Sequence, residues 1–215
     1  MATGSTRRPR ADGERTRRAI LLTAARLATV EGLDGLSIGR LAEETGMSKS
    51  GLFAHFGSKE ELQLATISAA DEIFQAEVLR PALAAEGLAR VEALCDRFLA
   101  HVERGVFPGG CFFASAAAEL DTRPGRVRDR VAEVLRAWTR MMEEAVAAAV
   151  AAGEAGPGTD PGQVAFEVNA MLAEANGRWL LSGDPAAFAM ARRGIADRLA
   201  RARAGGPGQP PSAQA

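Results

Sequence analysis

The sequence predicts an all-α chain, with an N-terminal three-helix helix-turn-helix head and a larger helical body. Three observations carry this. Alanine, leucine, glutamate and arginine, all good helix formers, dominate between the termini; there is no tyrosine, and no segment alternates apolar with polar residues as a half-buried strand does. Glycine and proline cluster at 32–35, 46, 57, 81, 87, 105–110, 124–125, 153–162 and 183–185, which cuts the chain into about ten helices. Residues 37–62, SIGRLAEETGMSKSGLFAHFGSKEEL, read as two short helices about a glycine turn and the capped start of a third.

In chain order, residues 1–12 are polar, arginine-rich and without pattern, and read as a disordered basic arm suited to phosphates or a minor groove. The helix at 13–31 sets Ile20, Ala24, Leu27 and Ala28 on one face, with Gly32 as C-cap. Short helices follow at 38–45 and 49–55. A helix over 59–80, about 33 Å long at 1.5 Å per residue, links the head to the body. Further helices are expected at 87–104, 110–120, 125–152, 161–181 and 185–203, and residues 205–215, GGPGQPPSAQA, read as a disordered tail. The domain division is therefore a head at 13–58 and a body at 59–204.

Composition narrows the functional class. With 215 residues and 47% apolar content the chain buries a core, and no apolar run approaches the roughly 20 residues that span a bilayer. Arg7-Arg8 opens like a twin-arginine signal, but Asp12, Glu14 and the arginines that follow break any signal core, so a cytoplasmic location is expected. Cys95 and Cys111 form neither a disulfide framework nor a metal motif, and no cofactor or metal is expected. No G-x-S-x-G, H-E-x-x-H, Walker loop or dinucleotide fingerprint is present, so the chain is not expected to be an enzyme. The net charge of −1 conceals a basic stretch over 1–59 and an acidic remainder, as befits a nucleic-acid-binding head on a body with another task.

The head carries its own mechanics. Ser37, Ser48 and Ser58 stand where N-caps belong, with Glu61 completing a capping box and Leu36/Leu41 and Met47/Leu52 as hydrophobic staples. Gly46 allows the sharp turn. On the second short helix Leu52 and Phe56 face inward, leaving Lys49, Ser50, Phe53 and His55 outside. Of 26 basic residues only Lys49 and Lys59 are lysines, and both lie in this segment. Helix N-termini, these two cations and the hydroxyls of Ser37, Ser48 and Ser50 suit phosphates, while the exposed helix face suits base edges. Double-stranded DNA is thus the expected partner. A helical module whose head binds protein is the alternative.

This segment, within residues 14–64, resembles the N-terminal domain of the TetR/AcrR family of bacterial transcriptional repressors. The resemblance implies an all-α homodimer with a ligand-binding body, and makes residues 49–55 the recognition helix. It places Ser37, Arg40, Ser48, Lys49, Ser50, His55 and Lys59 at positions that usually touch DNA. Two residues depart from the family's pattern: Phe53 and His55 stand where an aromatic hydroxyl is common. Phe53 has no proton to donate, whereas His55 can donate and gains charge if protonated. Gly51 also leaves a bare spot on the reading helix.

In the body, Val127, Val131 and Val134 continue into a stripe with Trp138, and Val164, Val168, Met171, Leu172, Ala175 and Trp179 form another. Such long helices suit a four-helix dimer interface, which the resemblance also implies and a palindromic operator requires. Cys95, Phe98, His101, Phe112, Phe113, Trp138, Met142 and Phe166 are candidate linings of an apolar effector pocket. Cys111 sits at a helix start, where a thiol pKa can fall and serve a redox sensor; a buried core thiol is the other reading. The resulting expectation is a repressor released by a small apolar or amphipathic effector. A ligand-independent regulator or activator of the same fold is the alternative.

Overall fold

The computed structural model describes residues 7–205. The helices run α1 (Arg7–Glu31), α2 (Ile38–Thr45), α3 (Lys49–Phe56), α4 (Lys59–Phe74), a π-helical turn (Gln75–Leu79), α5 (Arg80–Ala82), α6 (Gly87–Glu103), α7 (Phe112–Leu120), α8 (Arg126–Ala151), α9 (Pro161–Ser182) and α10 (Ala186–Arg203). No strand occurs among the described residues. α1 begins at Arg7, earlier than the expected 13, so the second half of the presumed arm is helical. Residues 1–6 of that arm, and the tail from 206, lie outside the described residues.

The expected single helix over 59–80 is broken locally. At its end Arg80 N–H bonds the Gln75 carbonyl, five residues back. Pro81 explains the widened turn: it has no N–H for the ladder, and its ring crowds the preceding turn.

Contacts group the chain into two compact units. The first joins the residues up to Ile73 with Phe107–Ala132, and the second joins Phe74–Val106 with the residues from Glu133 on. In the first unit α1 buries Ile20, Leu21, Ala24, Ala25 and Ala28 against Leu41, Leu52, Phe56 and Leu62. Arg17 lies over the Phe56 ring, 5.3 Å from its centroid, and so ties α1 to α3. In the second unit Leu88, Leu94, Leu99, Met142, Val146, Val164 and Leu172 are buried among α6, α8 and α9, with Phe188 and Leu199 from α10.

Candidate nucleic-acid interface

Each short helix of the head starts on a serine. Ser37 Oγ accepts from Arg40 N–H, Ser48 Oγ from Gly51 N–H and Ser58 Oγ from Glu61 N–H, each at 3.1 Å. Gly46 ends α2 at φ 67°, a left-handed backbone that lets the chain turn at once into α3. The capping box at Ser58 is only half made. Ser58 N–H bonds the Phe56 carbonyl at 2.9 Å, and the Glu61 carboxylate instead accepts from Arg126 at 3.0 Å.

α3 turns Leu52 and Phe56 inward. Around the opposite side lie Lys49, Ser50, Phe53, Ala54 and His55, all exposed, with Gly51 half-buried. Phe53 is 58% exposed, a large apolar group with no hydrogen-bonding atom on the outer surface. Ser50 and Ala54, one turn apart, are small and exposed, and Gly51 beside them carries no side chain, so this side of the helix keeps its backbone close to the surface.

The cations differ in what holds them. Lys49 makes no ion pair among the described residues. Arg40 is clamped by the Glu31 carboxylate at 2.7 Å and by Glu44 at 3.0 Å, and the hydrogen bond it donates to Glu31 leads in raising its pKa. Lys59 Nζ rests on Asp34 Oδ1 at 2.9 Å, and Arg123 takes Asp34 Oδ2 at 2.8 Å. The Lys59 hydrogen bond leads in holding the Asp34 carboxyl below its ordinary range.

The turn between α1 and α2 is fixed from a distant part of the sequence. Glu119 on α7 accepts from Leu33 N–H at 2.6 Å and from Asp34 N–H at 2.7 Å. Gly109 N–H donates to Thr29 Oγ1 at 3.1 Å, and a Cβ at Gly109 would overlap the Thr29 carbonyl. Arg126 binds Glu60 and Glu61, and Arg130 binds Asp71. No local pattern marks Asp34, Glu119, Arg123 or Arg126, whose roles exist only once α7 is laid against α1.

The candidate pocket residues belong to both units. Phe112 and Phe113 stack in the first unit, 5.3 Å between centroids, next to Phe107. In the second unit Phe98, His101 and Trp138 gather around Phe74, with ring centroids 5.4–6.4 Å from it. Sequence reading missed Phe74. His101 Nδ1 lies 2.9 Å from Glu77 Oε2, which also receives Arg104, and Trp138 Nε1 donates to Asn169 Oδ1 at 2.7 Å. Burial pushes the His101 pKa down, and Glu77 offsets part of this. Cys95 and Met142 are buried as well. Phe166 is the exception: it is 70% exposed on α9 and so stands outside the buried core of its unit. Cys111 is buried, and desolvation raises its thiol pKa over the lowering effect of the Ala114 and Phe113 N–H groups, which opposes the sensor reading.

Of the candidate interface stripe, Val131, Val134, Val164, Val168, Leu172 and Ala175 are buried within one chain, whereas Val127, Met171 and Trp179 are half-buried. The exposed apolar surface of α9 and α10 is instead Phe166, Leu180, Leu181 and Met190. Beside it lies a groove of about 310 Å³ lined by Ala170, Met171, Glu174, Ala175, Arg178, Ala187, Met190 and Ala191. No helix is long and apolar enough to cross a membrane, and no cluster of three or more metal-ligating side chains occurs among the described residues.

A serine-capped helix-turn-helix with an exposed reading helix, on a separate helical body, defines a DNA-binding transcriptional regulator. Residues 20–66 match the family model described as bacterial regulatory proteins, tetR family, and residues 87–195 match that of the tetracyclin repressor-like C-terminal domain. The chain belongs to the TetR family of transcriptional regulators. Among solved structures it is similar to a TetR regulator from Chloroflexus aurantiacus J-10-FL, at 27% identity and TM-score 0.81 over 89% of this chain and 97% of that one. AibR, solved in complex with isovaleryl coenzyme A and operator DNA, is 26% identical, with TM-score 0.70 over 86% of this chain and 98% of that one. A regulator from Cytophaga hutchinsonii shares the fold, at 21% identity and TM-score 0.76 over 89% and 96% of the two chains. No curated protein matches the chain by sequence.

Proposed function

We propose that the protein is a ligand-responsive repressor that binds a palindromic operator as a homodimer and leaves it when a small apolar or amphipathic effector enters the body. The observation that carries the DNA-binding part is α3, capped by Ser48, with Lys49 in no ion pair among the described residues and Ser50, Phe53 and His55 exposed. Ser37 and Ser48 leave helix N-termini facing phosphates, and Arg40 and Lys59 add charge at the flanks. Small outer residues let α3 sit deep in the major groove, where Ser50 and Lys49 meet base edges.

A second copy supplies the other half-site. Phe166 and Leu181 leave about 1.5–3 kcal/mol each to be gained on burial, and a two-fold axis counts each twice. These residues and the neighbouring groove on α9 and α10, which also carries the Glu174–Arg178 pair, support a dimer face on these two helices.

The cluster of Phe74, Phe98, His101 and Trp138, with Asn169 and Glu77 as polar partners, supports an effector site in the second unit. AibR was captured with both an acyl coenzyme A and its operator, which supports a linked response here. An effector works only if it prefers the conformation that does not bind DNA.

Selection of bound duplexes from a random pool, followed by gel shifts across a salt series, tests the reading. An inverted repeat with half-sites one helical turn apart and a steep salt dependence is expected. Binding with no preferred sequence and a flat salt response would point to the protein-binding module instead.

A further inference from the structure

We propose that Arg123 is a positioning residue for operator binding: by engaging one oxygen of Asp34 it weakens that carboxylate's hold on Lys59 and leaves the lysine ammonium available to a DNA phosphate. The inference rests on reading Lys59 as a phosphate contact.

The geometry is a single carboxylate shared by two cations. Asp34 Oδ1 accepts from Lys59 Nζ at 2.9 Å and Oδ2 from Arg123 at 2.8 Å. Glu119 holds the N–H groups of Leu33 and Asp34, which fixes the backbone from which the Asp34 carboxylate reaches both cations. The three side chains together carry a net charge of +1. Without Arg123 the sum falls to zero, and a phosphate drawn to Lys59 meets an uncompensated Asp34 beside it. With Arg123 in place, Asp34 keeps a partner when Lys59 turns to the phosphate. Both cations depress the Asp34 pKa, Lys59 more strongly, as expected if Asp34 remains ionised while it is shared.

Arg123 lies beyond the end of α7 and far in sequence from the recognition helix. It acts on DNA through Asp34 and not by contact. All three side chains are about half exposed, so the effect is modest and screened by salt.

The test uses the full-length protein and the operator duplex selected as above, with affinity measured from low to moderate salt. Lys59→Ala is expected to flatten the log–log salt slope by about 0.9 per head. Arg123→Ala is expected to weaken low-salt binding by up to about fivefold per head, with Arg123→Lys restoring most of it. Asp34→Asn is expected to tighten binding, and adding Arg123→Ala to it is expected to change nothing further. Circular dichroism and melting confirm that each variant is folded. An unchanged affinity in Arg123→Ala overturns the proposal. So does an equal loss in the presence and absence of Asp34→Asn, which would make Arg123 a direct DNA contact. If Lys59→Ala leaves the salt slope unaltered, the underlying reading of Lys59 has failed, and the proposal fails with it.

Discussion

Glu119 offers a sharp test of how the head is held together. Its carboxylate accepts two short hydrogen bonds from successive backbone N–H groups, Leu33 at 2.6 Å and Asp34 at 2.7 Å. Leu33 is 1% exposed, so removing the acceptor leaves a donor that water reaches poorly, a cost of about 2 kcal/mol. Asp34 is exposed, and water can replace its lost partner for a few tenths to about 1 kcal/mol. Glu119→Ala should therefore destabilise the protein by about 2–3 kcal/mol. Glu119→Gln should cost nearly as much, because an amide accepts on one atom only and turns a donor toward the second N–H. Urea unfolding at fixed protomer concentration measures this as a lower midpoint with unchanged slope. At roughly 2–4 °C per kcal/mol, the melting temperature should fall by about 4–12 °C. A Glu119→Ala variant within about 0.5 kcal/mol of the parent would refute the reasoning, since it would mean the turn needs no help from α7.

Three other outcomes follow from the same structure. Gly109→Ala should destabilise by about 1–3 kcal/mol, because the added methyl meets the Thr29 backbone carbonyl, which has little room to yield; differential scanning calorimetry reads it. Leu181→Asp should leave the fold of each chain intact, as Leu181 is 92% exposed, yet raise the dimer dissociation constant at least tenfold in analytical ultracentrifugation; an unchanged constant would place the interface elsewhere. His101 gives a pH dependence with a definite sign. Its folded pKa lies below the ordinary 6.5, so its contribution to stability is present above that pH and is lost as pH falls from 6.5 through the folded value. Urea titrations of His101→Gln should show a flatter stability profile over that window. Glu77 and Arg104 face the imidazole, and the Glu77 carboxyl is itself held below its ordinary range.

The head was legible because its signals are local. Ser37, Ser48 and Ser58 cap because a side-chain oxygen three residues before a free N–H needs nothing from elsewhere in the chain. Gly46 turns left-handed for a similar reason. Leu52 and Phe56 face inward because four residues bring a helix back to the same side. Where a partner is distant, local reading fell short. Glu61 looks like a capping-box residue, yet Arg126 claims its carboxylate. Phe166, a candidate pocket lining by its type, lies on the surface, while Val164 and Val168, candidates for the interface, are buried within the chain. Helical periodicity says which residues share a face; it does not say whether that face meets its own chain or solvent.

By itself, then, the amino-acid order determined an all-helical chain, the place of its turns and the helix that presents Lys49, Ser50 and Phe53 outward. These follow from backbone propensity, capping and a 3.6-residue period, which act over a few residues. Only the tertiary structure decided that Phe107–Ala132 forms one compact unit with the residues up to Ile73, that Asp34 is shared by Lys59 and Arg123, and that Phe166 and Leu181 are left uncovered. The physical reason is range. Charge pairing and burial depend on which surfaces meet in three dimensions, and residues 85 or more positions apart meet only after the chain has folded.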